Sequence, residues 1–209
     1  GTDTADYSTG GQKIVIDMAK SQTNGSPDTY RVENDGYGNK EFIDGIENIV
    51  SGALADTIYG DGESNEIITG AGDDTIRGGA EADIIDGGAN NDTADFSDLA
   101  YGVTVVLDSD NNGTNDALGT ASSNGKIDTL KQIENVIGTD RADNITGDDK
   151  ANTLLGGADN DVFKGLAGAD YIDGQDGADD TIDFSDAVSA GVKVDLTATL
   201  KDSGTTNGT

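Results

Sequence analysis

The residues best suited to chemistry are the aspartates and glycines of residues 69–95, because they recur at a fixed spacing. The stretch divides into three consecutive units of nine residues, TGAGDDTIR, GGAEADIID and GGANNDTAD. Each unit has glycine at its second place, aspartate at its sixth and a small or branched apolar residue at its eighth. A glycine-rich acidic turn followed by a short strand, repeated every nine residues, is typical of a parallel β-roll that binds calcium.

The same register runs through two blocks of five units each. The units begin at Ser51, Gly60, Thr69, Gly78 and Gly87, and again at Gly138, Gly147, Gly156, Gly165 and Gly174. The sixth places are Asp56, Asn65, Asp74, Asp83, Asp92, Asp143, Asn152, Asp161, Asp170 and Asp179. The apolar eighth places, which we expect to point inward, are Ile58, Ile67, Ile76, Ile85, Ile145, Leu154, Phe163 and Ile172. A flexible Gly/Asp-rich linker is the alternative, but such a linker would not keep this register through both blocks.

Two units make one coil of a right-handed parallel roll, so acidic places 18 residues apart face each other across stacked turns. Calcium takes 6 to 8 oxygens from carboxylates and backbone carbonyls, so each stacked pair predicts one site and the chain about six ions. The predicted pairs are Asp56 with Asp74, Asp74 with Asp92, Asn65 with Asp83, Asp143 with Asp161, Asp161 with Asp179, and Asn152 with Asp170.

Glycines in the turns are expected to direct carbonyls at the ion, because glycine freely adopts positive φ. The glycines assigned to this role are Gly70, Gly72, Gly79, Gly88, Gly157, Gly168 and Gly177. Asn65 and Asn152 offer neutral oxygens, so we expect the sites that they share with Asp83 and Asp170 to be weaker.

The elements that position these turns repeat over a longer period. The word DTADYS at residues 3–8 returns as DTADFS at 92–97 and DTIDFS at 180–185, and IEN occurs at 46–48 and 133–135. Each repeat, or cassette, consists of a spacer and a nonapeptide block. The spacer starts with an alternating apolar strand, continues through a polar loop and ends in a segment that fits either a strand or a helical turn. The predicted fold is all-β: a right-handed β-roll solenoid of two five-nonapeptide blocks joined by β-rich spacers. The predicted divisions are the tail of a preceding cassette (1–8), a spacer (9–50), block 1 (51–97), a spacer (98–137), block 2 (138–185) and the start of a further spacer (186–209).

Composition excludes several classes of function. The chain has 41 acidic and 12 basic side chains, a formal net charge of -29, and neither cysteine nor histidine. This surface is a poor partner for nucleic acid or an anionic membrane, both of which require Lys/Arg patches. Thiol and imidazole catalysis, and the usual zinc sites, are also absent. So much acidic charge on a weakly hydrophobic chain favours disorder unless a cation binds the carboxylates.

Two weaker motifs could also bind calcium. Asp108, Asp110, Asn112 and Asp116 fit the start of an EF-hand-like loop, but Gly119 stands where that loop needs a bidentate glutamate, so a polar turn is the favoured interpretation. Asp95 and Asp183 lie three residues after acidic turn residues. They could close the last turn of each block with another ion, or simply be solvated charges at a sheet edge.

The blocks resemble the repeats-in-toxin (RTX, haemolysin-type calcium-binding) family over residues 51–95 and 138–183. The spacer words DFS, GVTV and IENV resemble spacers of large secreted bacterial proteins. The resemblance implies Ca²⁺ as the bound cofactor, calcium ligands at the sixth places, type I secretion and an extracellular or bacterial cell-surface location. It also implies a non-catalytic module that folds on Ca²⁺ outside the cell, within a tandem array of an adhesin, surface-layer or toxin-type protein, with neighbouring cassettes as partners.

Two other functions stay open at this point. The chain could be the accessory region of a secreted protease, lipase or alginate epimerase whose catalytic domain lies outside it, since it begins with Gly1 in mid-pattern as an excised fragment would. Alternatively, Thr57, Thr75 and Thr93 stand in file on one side of the first block, and such a face could bind a surface glycan, a cell-surface partner or ice.

Overall fold

The computed structural model describes residues 1–19, 31–107 and 119–185, and in these ranges the chain forms strands and turns without any helix. Residues 108–118 and 186–209, which include the predicted EF-hand-like loop and the start of a further spacer, lie outside the described ranges. The strands are β1 Thr4–Asp6, β2 Ile14–Asp17, β3 Val32–Asp35, β4 Asn48–Val50, β5 Thr57–Tyr59, β6 Glu66–Ile68, β7 Thr75–Arg77, β8 Ile84–Asp86, β9 Thr93–Asp95, β10 Thr104–Val106, β11 Gly119–Ser123, β12 Lys126–Lys131, β13 Asn135–Ile137, β14 Asn144–Thr146, β15 Thr153–Ala158, β16 Val162–Lys164, β17 Tyr171–Asp176 and β18 Thr181–Ile182.

The strands form two sheets on opposite sides of one roll. A ten-stranded sheet has the order β1-β4-β6-β8-β12-β11-β10-β14-β16-β18, and an eight-stranded sheet the order β17-β15-β13-β9-β7-β5-β2-β3. The nonapeptides contribute their seventh to ninth places to strands, and strands from every second unit pair in parallel at a spacing of 18 residues, except for the last unit, which is shifted by one residue. Thr57, Thr75 and Thr93, for example, lie side by side in β5, β7 and β9. The predicted all-β parallel roll is therefore confirmed.

Within the two blocks, the core consists of eighth-place side chains that lie between the two sheets, and buried side chains of the spacers continue it. Ile58, Ile67, Ile76 and Ile85 are completely buried, while their seventh- and ninth-place neighbours face outward. The second block continues this core with Ile145, Leu154 and Phe163. Because successive side chains of a strand point to opposite faces, a three-residue strand can bury only its middle residue. Each three-residue strand therefore contributes one side chain to the core.

The spacers belong to the same roll as the blocks. β13, from the second spacer, pairs in parallel with β9 of the first block and with β15 of the second. On the other sheet, β10, β11 and β12 form antiparallel pairs inserted between β8 and β14. The segments that fitted either a strand or a helical turn form strands β4 and β13. No helix in the described ranges is long and apolar enough to cross a membrane.

Candidate metal centres

Sixth-place side chains form a hydrogen-bonded column along each side of the roll. In every link, the backbone N–H of one sixth-place residue donates to a carboxylate oxygen 18 residues further along the chain. The five such links join Asp56 to Asp74 (2.6 Å), Asn65 to Asp83 (2.8 Å), Asp74 to Asp92 (2.9 Å), Asp143 to Asp161 (2.9 Å) and Asn152 to Asp170 (3.1 Å). The pairs expected from an 18-residue coil are thus in contact, with one exception given below.

Four of the sixth-place aspartates have a second carboxylate oxygen that is available to a cation. Oδ2 of Asp74, Asp83, Asp92 and Asp161 is buried and has no hydrogen-bond partner. Burying a polar oxygen without a partner is costly, so each of these oxygens is suited to act as a ligand of a cation. Within the described ranges, no three acidic side chains converge closely enough to hold an ion by themselves. The residues therefore fit an oxygen-coordinated Ca²⁺ that takes carboxylates from two turns and completes its shell with turn carbonyls.

Burial changes the acidity of the columns. Burial, with a smaller contribution from neighbouring carboxylates, raises the pKa of Asp83 to about 7, that of Asp92 to about 8 and that of Asp161 to about 6. The pKa values of Asp74, Asp143 and Asp170 are also raised, chiefly by burial, and the carboxylate of Asp148 adds to the effect on Asp170. A bound cation would favour the charged forms of all these groups.

The turns approach each other so closely that some positions accept only glycine. At Gly79 (φ 101°), a Cβ would collide with the carbonyl oxygen of Asp61 in the previous coil, and at Gly157 (φ 114°) with that of Thr139. Positive φ occurs at six of the seven glycines assigned to the turns: Gly70, Gly72, Gly79, Gly88, Gly157 and Gly168, but not Gly177. This packing brings the carbonyls of one turn against the backbone of the next.

The last column link uses Asp180 where the sequence predicted Asp179. The N–H of Asp161 donates to Oδ1 of Asp180 at 3.0 Å, whereas Asp179 is exposed and its N–H bonds Asn160. The reason is one extra residue in the last unit, which makes Thr181 the partner of Val162 in the sheet, a separation of 19 residues. The predicted pair of Asp161 with Asp179 is therefore wrong by one position.

Spacer residues that the sequence reasoning missed extend the columns beyond the blocks. Oε2 of Glu134 accepts the N–H of Asp92 at 2.9 Å, and Oε2 of Glu47 accepts that of Asp3 at 2.7 Å. Only Gln132, Ile133 and Glu134 separate β12 from β13, so a longer side chain replaces the aspartate of the six-residue turns. The sequence feature that could have identified both glutamates is the motif IEN, which occurs once in each spacer. On the other side, Oδ1 of Asp128 accepts the N–H of Asp83 at 3.0 Å.

The two aspartates considered as block-end ligands have basic partners. Asp95 Oδ2 accepts hydrogen bonds from Arg77 Nε (2.9 Å) and Nη2 (2.7 Å), and the same guanidinium lies 4.5 Å from the ring centre of Tyr59. Asp183 lies 3.3 Å from Lys164 Nζ. These contacts place both carboxylates among the ninth-place side chains on the outer faces of the sheets, so they do not join Asp92 or Asp180 in a column.

Comparison with known families identifies the repeats. The family model of the RTX calcium-binding nonapeptide repeat matches the chain four times, at residues 43–72, 59–94, 137–171 and 156–182. These matches cover both blocks and, at 43–50, the end of the first spacer. A comparison with curated proteins gives no match.

Proposed function

We propose, from the premise that this chain is an RTX-type calcium-binding repeat protein, that it is a structural module which folds on binding Ca²⁺ after secretion. The observation that carries the proposal is the set of buried Oδ2 atoms without partners on Asp74, Asp83, Asp92 and Asp161. When bound, Ca²⁺ would supply the positive charge that these atoms lack. The repeats are calcium-binding and structural in kind, and proteins that carry them are typically secreted.

The chain's own residues would couple binding to folding. A sixth-place aspartate such as Asp74 fixes its Oδ1 on the N–H of the previous coil and directs Oδ2 into the turn. That arrangement exists only when the two coils are stacked, so the unfolded chain presents no such site. Because an ion that binds only the folded state stabilises it, calcium above the dissociation constant shifts the equilibrium toward the roll. Extracellular calcium sites commonly bind at 10⁻⁴–10⁻³ M, which suits folding outside the cell and an extended chain inside it.

We further propose that the module is one stretch of a tandem array in an extracellular adhesin, surface-layer or toxin-type protein, and that its nearest partners are neighbouring cassettes. Three features support this. β1 carries the same TAD sequence as β9, the contact of Asp3 with Glu47 repeats that of Asp92 with Glu134, and β18 is the outermost strand of its sheet among the described residues. A further cassette could continue both columns from either end.

Circular dichroism in the far ultraviolet tests the folding proposal. Purified chain should give a spectrum of low structure in excess chelator and a β-rich spectrum when calcium is restored, and repeated cycles should reverse it. Sedimentation velocity on the same samples distinguishes folding from aggregation. A chain that is equally β-rich with and without calcium would contradict the proposal.

A further inference from the structure

The two neutral sixth places lie 18 residues, or one coil, after the glutamates of the two IEN motifs. Nδ2 of Asn152 donates to the backbone carbonyl of Glu134 at 3.0 Å, and Nδ2 of Asn65 donates to that of Glu47 at 3.0 Å. A carboxylate has no hydrogen to donate, so an aspartate at either position could not make this bond. The side-chain amide of each asparagine therefore satisfies the backbone carbonyl of the IEN glutamate one coil earlier. In exchange, the column has one negative charge fewer at each asparagine.

A different aspartate stands beside Asn152. Asp148, at the second place of the same unit, is completely buried. Its Oδ1 accepts hydrogen bonds from Nδ2 of Asn152 (3.0 Å) and from the N–H of Lys150 (2.8 Å), while its Oδ2 is buried with no partner. This is the same state as the free oxygens of Asp74 and Asp161, but it arises at a place where most of the other turns have glycine.

The turn that carries Asp148 stacks against the turn of residues 165–170. The N–H of Asn152 donates to Oδ1 of Asp170 at 3.1 Å, and a Cβ on Gly147 would lie 3.1 Å from the carbonyl oxygen of Gly165. Two carboxylates, an amide oxygen and a turn carbonyl therefore lie in these adjoining turns, and the amide oxygen of Asn152 also accepts the N–H of Asp148 at 2.9 Å. Hard cations such as Ca²⁺ accept oxygens of all three kinds.

We infer that Asp148 supplies the carboxylate that Asn152 lacks, and that with Asp170 it forms a calcium site of undiminished charge between these two turns. The inference rests on the proposed calcium binding and reverses the expectation that the asparagine sites are weaker. The first block repeats these residue types, with Asp61 at the second place of the unit whose sixth place is Asn65, although Asp61 is only partly buried. Second-place aspartate and sixth-place asparagine thus occur together after both IEN words.

The competing explanation is that Asp148 only shapes its own turn through its bond to the N–H of Lys150. The variant Asp148→Asn distinguishes the turn-shaping role from the calcium-binding role. Its amide oxygen can still accept the hydrogen bond from Lys150 N–H, but the side chain carries no charge. Asp149 is the matched control, because it is the next residue, is exposed and loses the same charge in Asp149→Asn. A double variant, Asp148→Gly with Asn152→Asp, returns the carboxylate to the sixth place and glycine to the second.

The experiment counts bound calcium per folded chain by native mass spectrometry and follows the calcium midpoint of folding by circular dichroism. We expect Asp148→Asn to bind one ion fewer than the parent chain and to fold at a higher calcium concentration. Asp149→Asn and the double variant should keep the parent count. If Asp148→Asn fails to fold at any calcium concentration, a double variant that folds with the full count supports the inference.

An unchanged count and midpoint in Asp148→Asn would overturn the inference, as would a double variant that folds with one ion missing. Loss of an ion from Asp149→Asn as well would also contradict it, since the effect would then follow net charge. A parent chain that binds no calcium at all would instead refute the proposed function, so the two failures are distinguishable.

Discussion

Each sixth-place aspartate of the columns uses its two carboxylate oxygens for different purposes. Oδ1 of Asp74 is fixed by the N–H of Asp56, and this bond holds Oδ2 inside the turn, where it has no protein partner. The short aspartate side chain suits the six-residue turns, whereas Glu134 needs its extra methylene to reach the N–H of Asp92 from a three-residue turn.

Asp74 should matter for two calcium sites, because it stacks on Asp56 on one side and on Asp92 on the other. In Asp74→Asn the amide oxygen can keep the bond to Asp56 while the negative charge is lost. We expect this variant to bind fewer ions and to need more calcium to fold, as measured by native mass spectrometry and a calcium titration. Asp73→Asn is the control, since Asp73 is adjacent and exposed. Equal midpoints for the two variants would contradict the role of Asp74.

At the scale of the elements, the nine-residue register predicted the short strands and their buried residue correctly, because both depend on local spacing. The pairing of β13 with β9 could not be predicted, since it joins segments more than 40 residues apart through contacts that leave no periodic signal. The exchange of Asp179 for Asp180 escaped prediction for a related reason. A single extra residue can be absorbed at several points of a turn, and only the pairing of Val162 with Thr181 decides where.

Because each three-residue strand contributes only one side chain to the core, every eighth-place side chain is important for stability. Ile84 and Ile85 are consecutive in β8, but Ile85 is completely buried whereas Ile84 is 38% exposed. We expect Ile85→Ala to lower the free energy of unfolding by about 2–5 kcal/mol, as is usual when a buried isoleucine is truncated. Ile84→Ala should cost less than about 1 kcal/mol. Urea denaturation at saturating calcium measures both, and similar costs would contradict the assignment of the core.

At the scale of the whole molecule, the two columns run through blocks and spacers alike. Ile14, the first residue of β2, and Val103, the residue before β10, donate their N–H groups to Asp56 and Asp143 at 2.7 Å. These links place each spacer in the same stack as the block that follows it. Stacking so many carboxylates in a chain of net charge -29 opposes compaction through mutual repulsion. Stability of the roll is therefore expected to depend on bridging cations along its full length.

Two mechanisms could compact this acidic chain: Ca²⁺ that bridges carboxylates of successive turns, or any cation that screens their repulsion. The two mechanisms predict different radii of gyration. Magnesium screens charge as well as calcium does, but it prefers near-ideal octahedral geometry and gives up its waters reluctantly, so it should not bridge these turns. Small-angle X-ray scattering should give a radius of gyration near the value of about 50 Å for an unfolded chain of this length in chelator, in magnesium and in sodium chloride of matched ionic strength. Calcium alone should reduce it to less than about half of that value. Equal contraction in magnesium or sodium chloride would show that screening suffices and that the columns need no specific ion.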